Sequence, residues 1–174
     1  AKDNVLKPLN IIYDAASKQP LGFTMDFLKD SDPLCKLFVK TFKERAGIGH
    51  GDIVALVKEM QKTVIEIHKT KCVIADFNEM NINVSKDHKI PYFIDVDSYQ
   101  TPSFKATAIA DSIRDRNVPF GTFNELTDWY AFAILAFQLY INIHPYRGTH
   151  PKYDRNDIDS RMKDGVSALD PVVK

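Results

Sequence analysis

The sequence is poor in cysteine and carries no excess of charge. Its 174 residues include two cysteines, Cys35 and Cys72, which do not form a Cys-x-x-Cys pair. We therefore expect two reduced, buried thiols in a reducing compartment, here the cytoplasm. Twenty-three basic residues balance twenty-three acidic ones, so the formal net charge is zero. This balance argues against a protein that binds nucleic acid mainly by neutralising phosphates.

Long apolar runs are also absent. The most apolar segment, residues 131–143, is about thirteen residues long, whereas a membrane-spanning helix needs about twenty. The opening residues AKDNVLKPLN contain no apolar run of the length found in a signal peptide. We expect no membrane-spanning segment, and a helix at residues 131–143 that is buried on nearly all sides.

Regular patterning predicts an α+β fold. Apolar runs at residues 5–14 and 20–28 flank the polar turn ASKQ and predict a β-hairpin, and a second hairpin turn is expected at SKDHK, before the strand PYFIDV. Residues 99–124 show little periodicity and predict a long irregular segment. Apolar residues at helical spacing predict helices over residues 33–46, 51–70, 125–143 (capped near Thr127-Asp128) and 155–165.

Four polar residues stand in apolar surroundings, where an unpaired charge is costly. Asp76 and Asn81 lie five residues apart in IADFNEMNINV, Asp95 ends the strand PYFIDV, and Asp128 opens an apolar helix. Taken singly, each has a plain structural interpretation. The asparagines of this stretch suit turns, Asp95 suits the cap of a turn, and Asp128 suits a helix N-cap.

Taken together, the order of these residues suits metal-assisted phosphoryl chemistry. Magnesium prefers hard oxygen ligands, typically one or two protein carboxylates supplemented by water and phosphate. Asn81 and Asp95 offer such oxygens. Asp76, left free of the metal, is then available to orient and deprotonate a hydroxyl group.

This order resembles the large lobe of the protein-kinase-like fold. In that family a catalytic-loop Asp is followed five residues later by a metal-binding Asn, and about a dozen residues after that by a metal-binding Asp. The resemblance covers most of residues 20–150 and includes His68, eight residues before Asp76. It implies the last small-lobe strands and the hinge at residues 1–28 and a mostly helical large lobe at residues 29–174. It also implies ATP and Mg²⁺ as cofactors.

The resemblance further implies roles for individual residues. Asp76 becomes the catalytic base, and Asn78 stands where protein kinases usually place a lysine that neutralises the transferring phosphate. Asn81 and Asp95 become the magnesium ligands, and Asp128 accepts hydrogen bonds from the backbone of the catalytic loop. The implied nucleotide-binding residues are Met25, Asp26 and Phe27 in the hinge and Asn83 at the floor of the adenine pocket.

Several features depart from the family pattern. Ile74-Ala75 replaces the common His-Arg before the loop Asp, so we do not expect control by phosphorylation of the activation loop. Asp97 stands where the metal-binding turn usually has glycine, and it either adds a metal ligand or repels phosphate. The sequence shows no glycine-rich phosphate loop near a first strand and no strand lysine with a partner glutamate. Without these groups the positioning of phosphates is incomplete. The isolated β-hairpin expected at the start favours a fragment of a longer protein over a domain with a reduced small lobe.

The sequence leaves three functional classes open. The first is a phosphotransferase that uses Mg-ATP on a hydroxyl group of a protein or a small molecule. The second is a pseudokinase or interaction module that keeps the fold without the chemistry. In both, residues 101–124 with Arg114-Asp115-Arg116 form either a contact loop or a plain solvated charged loop. The third, metal-dependent hydrolysis, lacks a cluster of His or Cys ligands. A nucleotide and a protein substrate or partner are the expected ligands.

Overall fold

The computed structural model describes residues 3–174, so the first two residues of the segment 1–28 lie outside the described part. It shows an α+β fold of four α-helices and two small antiparallel sheets within those residues. None of these helices combines the length and apolar character that crossing a bilayer requires. The strands are β1 (Asn10–Tyr13), β2 (Pro20–Thr24), β3 (Ser31–Pro33), β4 (Ile82–Ser85) and β5 (Pro91–Phe93). The helices are α1 (Lys40–Ala46), α2 (His50–Lys69), α3 (Glu125–Ile141) and α4 (Ile158–Asp164).

The hairpin expected near the start of the chain is confirmed, with shorter strands than the apolar runs indicated. Strands β1 and β2 pair antiparallel, with Ile11 opposite Phe23 and a change of register at Ile12/Tyr13. Both strands are exposed along their whole length. The carboxylate of Asp14 accepts hydrogen bonds from the main-chain N–H of Ser17 (2.6 Å) and its hydroxyl (2.8 Å), which closes the turn.

The residues that precede this hairpin attach it to the rest of the fold. The N–H of Phe93 donates to the carbonyl of Asn4 (2.8 Å), and the N–H of Leu6 donates to the carbonyl of Phe93 (2.9 Å). The side chain of Asn4 also donates to the hydroxyl of Thr63 on α2 (2.9 Å). The start of the described chain therefore contacts both β5 and α2.

The second sheet has the order β3-β4-β5 and supplies the frame of the candidate site. Ile82 on β4 lies opposite Phe93 on β5, and both side chains are buried. Asn83 lies opposite Tyr92 on the other face, where both are half-buried. This alternation is that of a sheet with one face on the core. The second hairpin turn, between β4 and β5, is confirmed.

The helix expected over residues 33–46 is wrong in its first half. Ser31–Pro33 is a strand, Leu34–Phe38 is a 3₁₀ helix, and Val39 is extended before α1 begins. The apolar residues Leu34 and Leu37 are both buried, and their spacing of three suits a 3₁₀ turn as well as an α-helix. The sequence pattern alone therefore did not separate the two.

The predicted starts of the last two helices also need correction. Helix α3 is capped by Asn124, whose side chain accepts from the N–H groups of Leu126 (2.8 Å) and Thr127 (3.2 Å), so Asp128 is not its N-cap. Helix α4 begins at Ile158 rather than at residue 155, because the Asp157 side chain caps it through the N–H of Ser160 (3.0 Å).

The main core lies where α2 and α3 pack on each other and on the second sheet. Within residues 131–143, four residues are buried, six are half-buried, and Ala133, Ile141 and Ile143 are exposed, so the expected burial on nearly all sides is met only in part. The two cysteines are free but only partly buried, so the expectation of fully buried thiols is wrong. The fully buried core residues contributed by α2 and α3 include Leu56, Met60, Val64, Ala131, Leu135 and Leu139.

Candidate functional site

The loop after α2 contains a strained turn directly before Asp76. Ala75 has a φ of 61°, a left-handed conformation that costs a non-glycine residue about 1–3 kcal/mol. The carboxylate of Asp128 accepts hydrogen bonds from the N–H groups of Ile74 (2.8 Å) and Ala75 (2.9 Å). These bonds hold the turn in place, and the turn sets the position of Asp76.

Asp128 has a third partner, which completes its pairing. Its Oδ2 atom lies 2.8 Å from Nε2 of His68, at the end of α2. The His68 ring also contacts the ring of Trp129 edge-on, with centroids 5.7 Å apart. A buried carboxylate is stable only when hydrogen-bonded, and Asp128, which is 0% exposed, has three such partners. The hydrogen bonds to the loop backbone are those that the sequence analysis assigned to this residue.

The carboxylate of Asp76 is held from two sides. Its Oδ1 atom accepts a hydrogen bond of 2.7 Å from the main-chain N–H of Ala110. Its Oδ2 atom accepts a longer one of 3.3 Å from the side-chain amide of Asn81. The same amide nitrogen donates to the main-chain carbonyl of Asp76 (3.0 Å). Asp76 as a whole is half-buried.

The hydrogen bonds of Asn81 determine which way its amide points. Both neighbours of Nδ2 are oxygen atoms of Asp76 that can only accept. The nitrogen must face Asp76, and the Oδ1 atom of Asn81 is left to coordinate a cation. The orientation of this side chain thus suits the metal-binding role that the resemblance implied.

Asn78 occupies the inside of the loop. Its Oδ1 atom accepts hydrogen bonds from the N–H groups of Met80 (2.8 Å) and Asn81 (3.2 Å), and the residue is 8% exposed. These are the contacts of an asparagine that forms a turn, which was its plain structural interpretation. Its side chain therefore supports the loop that carries Asp76 and Asn81.

Asp95 lies next to Asn81 through the backbone. The N–H of Ile94 donates to the carbonyl of Asn81 (3.0 Å), so the segments that carry the two expected ligands are bonded to each other. Asp95 has a φ of 59° and begins a short 3₁₀ helix, Val96–Ser98. Its side chain is exposed, so the expectation of a buried carboxylate is wrong for this residue.

The donor set can be compared with the needs of a cation. Among residues 3–174, no group of three or more His, Cys, Asp and Glu side chains is placed to hold a metal ion. The pair offered here is one amide oxygen, from Asn81, and one carboxylate, from Asp95. Magnesium bound with a nucleotide takes its remaining ligands from water and phosphate, so the chemical types of these two donors are compatible with magnesium.

The hydroxyl group of Tyr99 interacts electrostatically with Asp128 and Asp95. Burial raises the pKa of the Tyr99 hydroxyl well above its usual range, and the charges of Asp128 and Asp95 raise that pKa further. The residue therefore stays neutral at any physiological pH. It adds no charge of its own to the region between these two carboxylates.

The residues expected to bind the nucleotide lie in two places. Met25, Asp26 and Phe27 follow β2 and are all exposed. Asp26 and Phe27 line a cavity of about 340 Å³ together with Tyr92. Asn83, opposite Tyr92 across the sheet, donates to the hydroxyl of Ser31 (3.0 Å). The cavity thus places Asp26 and Phe27 of the expected hinge beside Tyr92, which is paired with Asn83, the expected floor residue.

The sequence analysis missed the part that residues 101–124 take in the site. Ala110 bonds Asp76, and the carbonyl of Ser112 accepts from Nε2 of buried His144 (2.8 Å). Burial lowers the pKa of His144, which favours the neutral ring that this bond and the N–H of Tyr146 require. A main-chain donor such as that of Ala110 leaves no signature in residue type, so no sequence signal marked it.

The expectation of a solvated charged loop fails for Arg116. Its side chain is 8% exposed and forms ion pairs with Asp159 on α4 (2.5 Å) and with Asp111 (3.5 Å). Arg114 also contacts Asp111 (3.5 Å). Within this run, Arg116 therefore ties the irregular segment to α4.

Neither a known protein family nor a curated protein matches this sequence. Function is therefore inferred from the geometry around Asp76 and from the order of its partners along the chain.

Proposed function

We propose that this chain carries a protein-kinase-like phosphotransferase site, which uses Mg-ATP to phosphorylate a hydroxyl group. The observation that carries the proposal is the strained turn at Ala75, held by buried Asp128, that places Asp76 against the amide of Asn81. Strained backbone persists only where the surrounding structure enforces it, and it concentrates at functional sites. Asp95, the expected second ligand, carries a left-handed backbone of the same kind.

Each residue has a defined chemical task in this proposal. Asp76 accepts the proton of the acceptor hydroxyl as that oxygen attacks the γ-phosphorus. Asn81 and Asp95 supply oxygen ligands for Mg²⁺, whose charge offsets that of the phosphates. Asp128 keeps the loop in shape and does not take part in proton transfer.

The nucleotide and the two parts of the domain follow from the same proposal. Residues 1–28 correspond to the end of a small lobe with its hinge, and residues 29–174 correspond to the large lobe. Asp26 and Phe27 line a cavity beside Tyr92, which supports an adenine site formed by the backbone at residues 25–27, with Asn83 nearby. A protein or a small molecule provides the acceptor hydroxyl.

Calorimetry of nucleotide binding tests the metal site directly. We expect the full-length protein to bind ATP more tightly with Mg²⁺ than with EDTA, and Asp95→Asn to lose most of that difference. The matched control is Asp154→Asn, which changes an exposed acid that the proposal does not place in the site. If the wild-type protein binds ATP equally with and without Mg²⁺, the proposal fails.

A second candidate function is a pseudokinase or interaction module. Three exposed aromatic side chains favour it, because aromatic residues are enriched at protein–protein interfaces relative to the rest of the surface. Phe27 is 88% exposed, Phe104 74% and Phe120 63%. This alternative predicts that Asp76→Asn leaves the protein's biological activity intact, whereas the phosphotransferase proposal predicts its loss.

A further inference from the structure

We propose that the main-chain N–H of Ala110 is a positioning group for Asp76, an inference that rests on the phosphotransferase function proposed above. The bond to Oδ1 is 2.7 Å long, and the two residues are 34 positions apart in the chain. Main-chain donors to carboxylates form strong, charge-assisted hydrogen bonds. In this role the irregular segment that contains Ala110 contributes a functional group to the site.

The two oxygen atoms of Asp76 are not equivalent. Oδ1 takes the short bond from Ala110, and Oδ2 takes only the 3.3 Å contact from Asn81. Each carboxylate oxygen has about two lone pairs, so Oδ2 is the oxygen whose lone pairs are less occupied by hydrogen bonds. The N–H of Ala110 therefore fixes the rotation of the carboxylate and leaves Oδ2 to receive a proton.

Two anchors on the N-terminal side hold Ala110 in place. The side chains of Ala106 and Ile109 pack on a small apolar cluster of buried Val73, Ala75 and Phe123. Ala75 belongs to the strained turn itself, so the same cluster contacts both the turn and the segment that bonds Asp76. The distance between Ala110 and Asp76 is thereby set by packing and does not depend on their hydrogen bond alone.

Further anchors lie on the C-terminal side. Ala110 is followed by a 3₁₀ helix, Asp111–Ile113, whose last residue is fully buried in the main core. The carbonyl of Ser112 accepts a hydrogen bond from His144 (2.8 Å). A donor held on both sides needs little reorganisation when the base changes charge, which is the condition for an effective positioning group.

The chemical step that this arrangement supports is balanced as follows. The proton of the acceptor hydroxyl passes to Oδ2 of Asp76 while the oxygen of that hydroxyl forms a bond to the γ-phosphorus. The bond from that phosphorus to the β,γ-bridging oxygen breaks, and its electron pair leaves with ADP. Asp76 afterwards releases the proton to solvent, while Oδ1 stays bonded to Ala110 throughout.

An amide-to-ester exchange tests the proposal with the fewest added atoms. Replacing Ala110 by lactic acid in the full chain removes the N–H and keeps the methyl side chain. Ala110→Pro is a second variant without the donor, since the φ of Ala110 is −66° and suits proline. The same amide-to-ester exchange at Ala108, an exposed residue of the same segment, is the matched control. Turnover is measured with Mg-ATP and water as the acceptor, so that no acceptor has to be known.

We expect the ester to lower kcat roughly ten- to hundredfold, which is the effect of losing one hydrogen bond to a charged group. The KM for ATP should stay within about twofold, because a positioning defect acts on the transition state and not on nucleotide binding. The exchange at Ala108 should retain a kcat within about threefold of wild type. An unchanged or raised kcat in the ester variant overturns the proposal, since the contact would then be neutral or inhibitory.

A second measurement separates this inference from the proposed function. The amide proton resonance of Ala110 should move upfield in Asp76→Asn, because the acceptor loses its charge. If the resonance moves but wild type hydrolyses no ATP, the contact exists and the proposed function fails, and the positioning role fails with it. If wild type is active and the resonance does not move, only the positioning role is overturned.

Discussion

The Nε2 atom of His68 lies 2.8 Å from Oδ2 of Asp128, and the same oxygen accepts the N–H of Ile74 at 2.8 Å. His68 belongs to the end of α2 and Asp128 to the first turns of α3. One buried carboxylate thus joins two helices to the loop that carries Asp76. The geometry of the candidate site therefore depends on contacts with both helices as well as on those within the loop.

Replacement of Asp128 by asparagine is expected to lower the free energy of unfolding by about 2–4 kcal/mol. All three partners of the Asp128 carboxylate donate hydrogen bonds to it, so the amide nitrogen of the asparagine would face one of these donors. Hydrogen bonds to a charged group are worth about 1.5–3 kcal/mol each. Urea denaturation followed by circular dichroism measures the change. Asp154→Asn, at an exposed position, should change stability by less than about 0.5 kcal/mol. Equal stabilities of the two variants would contradict the role assigned to Asp128.

Replacement of Asn81 by alanine is expected to raise the Mg²⁺ concentration for half-maximal ATP binding by at least about tenfold. The variant loses the amide oxygen that faces away from Asp76 and also the two hydrogen bonds to Asp76. A magnesium titration at fixed ATP measures the effect. The matched control is Asn117→Ala, which removes an exposed amide whose hydrogen bond goes to the carbonyl of Lys163. A titration curve equal to that of wild type would exclude Asn81 as a ligand.

Protonation of His144 is expected to lower the stability of the folded protein in mild acid. Burial lowers the pKa of its ring in the folded protein, with Arg147 and Arg116 lowering it further while the Ser112 carbonyl and Glu79 act in the opposite direction. As pH falls below about 6.5, the unfolded chain takes up a proton that the folded ring resists, so stability declines there and levels off below the folded pKa.

The matched variant for this effect is His144→Gln, whose amide can still donate to Ser112. We expect the difference in unfolding free energy between wild type and variant to be independent of pH above about 7 and to shift against wild type as the pH falls below about 6.5. Thermal or urea denaturation across this range measures it. A difference that does not change with pH would contradict the buried, neutral assignment of His144.

The ion pair of Arg116 with Asp159 is expected to stabilise the contact between α4 and the irregular segment that reaches Asp76. Arg116→Gln breaks the ion pairs to Asp159 and Asp111, and we expect a loss of about 1–2 kcal/mol in unfolding free energy. Limited proteolysis should then cut residues 101–116 faster than in wild type. Arg155→Gln, which alters another arginine at an exposed position, should leave the cleavage rate unchanged. Equal cleavage of both variants would show that Arg116 does not hold the segment.

Much of the framework could be predicted from sequence, because it depends on local patterning. The apolar residues of α2 hold a helical period from Ile53 to Ile67, and the helix spans His50–Lys69 as expected within one residue at each end. The hairpin of β1 and β2 followed from two apolar runs around a polar turn. The relation between Asp76 and Asn81 also rested on a short spacing, which a single loop can fix.

The rest depends on contacts that residue type does not record. Asn124 rather than Asp128 caps α3, because a cap is chosen by the backbone conformation at the helix start. Asp95 looked buried because its neighbours are apolar, yet the left-handed turn exposes its side chain. The bond from Ala110 to Asp76 spans 34 residues and uses a main-chain donor that every residue except proline possesses.

The central claim is that Asp76 acts as the base of a Mg-ATP-dependent phosphotransferase. The most direct test is the kcat for release of the γ-phosphate from Mg-ATP, measured for wild type and for Asp76→Asn in the full-length protein. Asn keeps the size of the side chain and removes its basicity, so we predict that kcat falls by about 10²- to 10⁴-fold while the KM for ATP changes little. A wild-type protein without turnover, or an Asp76→Asn variant as active as wild type, would contradict it.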